Sequence, residues 1–99
     1  MQWVFAINIG TMPDPRWHPL KRRHCDQAIR ATPGFMEYFE IPEHGTMVVF
    51  GTRPHAEKAI AYMKASRNPV EDIVFLCQAD FEKREIRVRG PVDEVCMDG

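Results

Sequence analysis

The chain has 99 residues and a mass of 11.5 kDa, which suits one domain with a single hydrophobic core and leaves no room for a second. Its 44% hydrophobic content is that of a globular protein, not of a disordered or fibrous one. Thirteen basic and fourteen acidic side chains give a net charge of -1. This balance excludes a globally basic nucleic-acid binder and a polybasic membrane protein, but it allows a local charged patch.

Several features of the sequence concern its compartment. No apolar run approaches the roughly 18 residues of a membrane-spanning helix, and the first residues lack the basic region and cleavage site of a secretion signal. Cys25, Cys77 and Cys96 are odd in number and widely spaced, which argues against a disulfide framework or a zinc site. We therefore expect a cytoplasmic protein that uses neither membrane, metal nor cofactor, with Cys77 in the core.

The first half of the chain predicts a strand, a helix and a hairpin. Residues 3–9 have the composition of a strand, and the Gly- and Pro-rich residues that follow predict a loop. Pro19 suits the first turn of a helix, which we expect to end near Thr32 because Pro-Gly follows. Residues 35–41 and 46–50 then predict two strands joined by a turn.

The second half predicts another helix and two further strands. Residues 51–54 open the helix, whose apolar residues recur at helical spacing (Ala56, Ala59, Ile60, Met63). Residues 73–77 predict a buried strand, residues 81–89 a charged turn and an edge strand, and residues 90–99 a flexible tail. We thus expect one α+β domain over residues 1–99. It resembles the ferredoxin-like βαββαβ arrangement, with an antiparallel sheet, two helices on one face and an extra C-terminal strand.

Both faces of the predicted sheet are apolar, whereas the helices can cover only one. An apolar sheet face without a cover indicates an interaction surface. We assign this surface to five side chains of the first and third strands and expect it to form a homodimer or bind another protein (Trp3, Phe5, Ile7, Met47, Val49). The alternatives are a bound ligand and a face that the C-terminal hairpin of the same chain covers.

Basic side chains cluster around the first predicted helix, and within residues 16–30 only Asp26 opposes them (Arg16, Lys21, Arg22, Arg23, Arg30). A local excess of positive charge is typical of a surface that binds an acidic protein patch or a phosphate backbone. The alternative is that these charged side chains form an ordinary solvent-exposed face of the helix and bind no partner.

A second candidate site precedes the second helix, where Thr52, Arg53 and His55 offer a hydroxyl, a guanidinium, a ring nitrogen and free backbone N–H groups to an anion. The alternative is ordinary helix capping by Thr52. The four histidines are scattered without metal-ligand spacing, so we assign no metal site and no catalytic residue.

Two segments resemble the RNA-recognition motif, namely residues 4–9 as its first-strand signature and residues 50–63 as the end of its third strand and its second helix. The resemblance implies base stacking by Phe5, although the other two stacking positions fall on Gly45 and Met47. In size and topology the chain also resembles small dimeric α+β barrel proteins, some of which hold a small molecule between sheet and helices.

We therefore expect a small non-enzymatic regulatory domain that acts through protein–protein contacts, using the apolar sheet face to self-associate and the basic helix to bind an acidic partner. One alternative is a single-stranded RNA-binding domain that uses Phe5, Trp3 and the basic helix. The other is a small-molecule enzyme that uses His24 or His55.

Overall fold

A computed structural model describes residues 1–10, 26–68 and 70–95. It is an α+β structure in which a five-stranded antiparallel sheet has the order β2-β3-β1-β4-β5. The elements in chain order are β1 (Gln2–Asn8), the helical residues 26–31 (α1), β2 (Phe35–Ile41), β3 (Gly45–Phe50), α2 (Arg53–Ala65), β4 (Phe75–Asp80) and β5 (Glu85–Pro91). The predicted α+β class, antiparallel sheet and two helices are thereby confirmed.

The helices pack on one face of the sheet. Ile29 of α1 and Ala56 of α2 belong to one buried cluster. The sheet contributes Ile7 of β1, Ile9 directly after β1, and Phe50 of β3 to the same cluster. The apolar spacing of α2 places its four buried residues on this side, as the sequence predicts (Ala56, Ala59, Ile60, Met63). This helix-side cluster is the first of two cores, whereas the chain length predicted a single one.

The second core lies on the opposite face, where alternate strand residues form a separate buried cluster (Val4, Ala6, Phe39, Met47, Val49, Phe75, Cys77, Ala79). The turn and strand of the C-terminal hairpin add Phe81, Ile86 and Val88 to it. Because successive strand residues point to opposite faces, the apolar residues at consecutive positions supply both cores.

The sheet curls toward this second face. In the strand order β2 and β4 are three positions apart, or about 14 Å in a flat sheet. The rings of Phe39 on β2 and Phe81 after β4 nevertheless have centroids 5.8 Å apart, and Arg84 of the same turn bonds Glu37 of β2 at 2.8 Å. The outer hairpins each contain a register shift, and such bulges strengthen strand twist. The chain therefore covers its own outer face.

The last two strands differ from their predicted bounds. The fourth strand begins at Phe75 instead of residue 73 and continues to Asp80, because its pairing with β1 extends to Gln2 opposite Ala79. β5 extends to Pro91, and the N–H of Val92 donates to Val74 O at 2.8 Å. Gly90 and Pro91 thus belong to β5 and residues 92–94 form the turn after it, so the segment predicted as a tail over 90–99 begins within the sheet; residues 96–99 lie outside the described part.

Candidate interaction surfaces

The five predicted sheet-face residues do not share one open face. Phe5 packs against the helix-side core and Ile7 belongs to it, whereas Met47 and Val49 belong to the core on the opposite side. Ile7, Met47 and Val49 are completely buried, and only Trp3, at 37%, is substantially exposed. This corrects the expected contact surface: both faces of the sheet are apolar, but the curled sheet already buries Ile7, Met47 and Val49 within one chain.

The placement of Phe5 also bears on the stacking platform that the RNA-recognition resemblance implies. In that resemblance the stacking aromatic stands on the face away from the helices, whereas Phe5 lies on the helix side, opposite Phe50 in the β1–β3 register. The outward positions of β1 beside it are Val4 and Ala6, both fully buried. Among the described residues, Phe5 is therefore not available to stack on a base from the outer face.

Of the five residues in the basic cluster, the structure describes Arg30; Arg16, Lys21, Arg22 and Arg23 lie outside the described residues. The Arg30 Nε–H is 3.1 Å from both carboxylate oxygens of Asp26, one helical turn away. Its guanidinium lies 4.9 Å from the ring centroid of Tyr38, and the Tyr38 hydroxyl donates to Asp26 at 2.7 Å. Arg30 thus links α1 to β2 and pairs with Asp26, while its side chain remains 56% exposed.

The predicted anion site separates into two parts. Thr52 is the N-cap of α2 and accepts a hydrogen bond from the His55 N–H, while its hydroxyl also lies 2.9 Å from His55 Nδ1. Arg53 turns away to Asp93, at 2.7 Å, and to Glu57, at 3.5 Å. The hydrogen bond that Arg53 donates to the Asp93 carboxylate raises the pKa of Arg53. Thr52 therefore caps the helix, as the alternative interpretation stated, with His55 as its hydrogen-bond partner, and Arg53 belongs to a different surface.

That surface is a groove of about 380 Å³ between the start of α2 and the turn after β5. Buried apolar residues form its floor together with Ile73, which is 40% exposed. Its rim is acidic (Glu57, Asp72, Asp93, Glu94), and Arg53 is the basic residue among those that line it. We call it the α2–β5 groove. The sequence carries only an indirect signal for it, an acidic excess outside residues 16–30, because the groove joins residues that are far apart in the chain.

The cysteine and histidine side chains are the remaining candidates for chemistry. Cys77 is a buried free thiol, as predicted, and burial raises its pKa to about 12. The ring of His44 contacts Phe75 edge-on, and His18 and His24 lie outside the described residues. In the described ranges no three His, Cys, Asp or Glu side chains are arranged to hold a metal ion.

Among the residues placed in the structure, none of the helices has the length and apolarity needed to cross a membrane. Comparison of the chain with protein-family models, curated proteins and solved structures finds no match. The geometry and the charge distribution are therefore the basis for a functional proposal.

Proposed function

We propose that this chain is a small non-enzymatic binding domain that contacts an acidic protein surface through its basic residues 16–30. The observation that carries the proposal is charge separation along the chain. Residues 16–30 contain five basic and one acidic side chain, whereas the rest of the chain contains eight basic and thirteen acidic ones. Such an arrangement steers association with a surface of the opposite charge without making the protein basic overall.

Self-association remains part of the proposal, but by a different surface from the one the sequence suggested. A contact through Met47 and Val49 would require the curled sheet to open, since both are completely buried within one chain. Charged surfaces need no such rearrangement. We accordingly place self-association on the charged exterior of the domain and not on the sheet face.

We also propose that the fold is ferredoxin-like and that the protein works in the cytoplasm. The order β2-β3-β1-β4, with both helices on one face, is what two interleaved βαβ units would produce, and β5 then extends the β4 edge. The buried free thiol of Cys77 is compatible with a reducing compartment.

The proposed function is tested by titrating the protein with a fluorescently labelled polyglutamate peptide and, separately, with a single-stranded RNA of equal charge. We expect salt-sensitive binding of the peptide, and we expect Arg22→Glu/Arg23→Glu to abolish it. Tighter binding of the RNA that depends on Phe5 would instead favour the nucleic-acid alternative. No binding of either probe, or equal binding by the variant, would contradict the proposal.

A further inference from the structure

We infer that the acidic partner is a second copy of this chain, whose basic residues 16–30 bind in the α2–β5 groove. The inference depends on the proposed function, because the same basic residues act in both. It goes further in naming the partner and the surface that receives them.

The groove has the chemistry to bind a segment that is both cationic and apolar. Its floor presents Ile73, an isoleucine 40% exposed to solvent, beside the buried side chains of Ile60 and Val74. Four carboxylates surround this floor, and three of them already face a cation of the same chain. Glu57 and Asp93 are shared with Arg53, and Asp72 accepts from Lys64 at 2.8 Å. An occupant that places an aliphatic or aromatic side chain on the floor and cations at the rim would satisfy both features.

Residues 16–30 have this composition. Their basic side chains are interspersed with apolar ones in the sequence, beginning Arg16, Trp17, and continuing with Leu20, Lys21, Arg22 and Arg23. Residues 83–89 are a second basic stretch, with four basic side chains against one acidic, but their apolar residues Ile86 and Val88 already pack against the second core of the same chain.

Charge also determines how two copies would associate. Two acidic grooves repel each other, as do two basic segments, so the favourable contact joins the groove of one copy to the basic segment of the next. Such a contact is heterologous: it forms a closed ring or, where the rotation does not close, a growing chain of copies. We therefore expect association that increases with protein concentration and weakens with salt.

A charge exchange between two variants tests the inference. Glu57→Lys/Glu94→Lys makes the groove basic, and the triple variant Lys21→Glu/Arg22→Glu/Arg23→Glu makes the segment acidic, with four acidic against two basic side chains. Each variant alone should associate at least about tenfold more weakly than the unmodified chain, because attraction is replaced by repulsion. An equimolar mixture should associate again, because each altered surface then has an oppositely charged counterpart. Molar mass by light scattering or sedimentation provides the measurement.

Glu43→Lys/Glu85→Lys is the matched control, since it changes two exposed acidic residues away from the groove by the same total charge. It should associate like the unmodified chain. Ile73→Ser should weaken association severalfold while leaving the circular dichroism spectrum unchanged. Unaltered association of the groove variant, failure of the mixture to associate, or a monomer in the unmodified chain at all concentrations would each overturn the inference.

The polyglutamate titration separates this failure from failure of the proposed function. The groove variant retains residues 16–30 and should still bind the peptide. If it binds the peptide and also self-associates normally, the acidic partner is not the groove, and the proposed function stands. If the unmodified chain does not bind the peptide, the proposed function fails, and the inference about the groove fails as well.

Discussion

Truncating Phe39 tests whether the chain covers its own outer sheet face. Phe39 is 5% exposed and belongs to the second core, on the sheet face away from the helices. Its ring packs on Phe81 and lies under the guanidinium of Arg84. Phe→Ala changes at buried sites cost about 3–5 kcal/mol. We expect Phe39→Ala to lower the free energy of unfolding by about 4 kcal/mol, a large share of the stability of a small domain.

Urea denaturation followed by far-ultraviolet circular dichroism, at high salt where charge-driven association is suppressed, measures this loss. With a denaturant dependence of about 2 kcal/mol per molar, the midpoint should fall by about 2 M. The decrease should be the same at low and high protein concentration, because the covering groups belong to the same chain. Met36→Ala, on the same strand but 38% exposed, is the control and should cost less than about 1 kcal/mol.

A double-mutant cycle identifies the covering residue. Combining Phe39→Ala with Phe81→Ala should show a coupling of about 0.5–1.5 kcal/mol, the usual strength of an aromatic pair. A loss below about 1 kcal/mol for Phe39→Ala would refute the reasoning. So would a midpoint that rises strongly with protein concentration at high salt, where charge-driven association is suppressed, since the cover would then come from another copy.

Three further predictions concern individual side chains. Asn8→Ala should cost about 1–3 kcal/mol in urea denaturation, because the buried amide donates to His44 O and accepts from the Gly10 N–H at 2.7 Å; a neutral effect would contradict this. Hydrogen bonds from the Tyr38 N–H and then from Arg84 lower the pKa of Glu37. The unmodified chain should therefore be more stable than Glu37→Gln at neutral pH, and this difference in the free energy of unfolding should disappear as the pH falls below the ordinary glutamate pKa. A difference that stays constant with pH would contradict this. In a Cys25→Ser/Cys96→Ser background, the thiol of Cys77, with its pKa near 12, should react with a disulfide reagent only on unfolding; rapid reaction of the folded protein would show that it is accessible.

Local features of the sequence predicted the elements well. The strand over residues 3–9 matches β1 (Gln2–Asn8), and Thr52 before Pro54 indicated the start of α2. These features depend on neighbouring residues, on backbone propensity and on helix capping, all of which act within a few positions. Apolar residues at consecutive positions also showed correctly that both faces of the sheet are apolar.

The sequence did not show what covers the outer face or where Arg53 bonds. The curling of the sheet over its outer face depends on two register shifts and on the contact between Phe39 and Phe81. These two residues belong to hairpins that are far apart in the chain. Arg53 bonds Asp93, forty positions later, so its assignment to an anion site followed only from its sequence neighbours. Contacts of this kind are set by the three-dimensional curvature of the sheet, which no local pattern specifies.

The molar mass of the unmodified chain, measured across protein concentration at low and high salt, tests the central claim of charge-driven association most directly. We predict a mass that rises above 11.5 kDa with concentration at low salt and returns to 11.5 kDa at high salt. A salt-insensitive dimer of about twice that mass would indicate an apolar interface instead. A monomer under every condition would contradict self-association altogether.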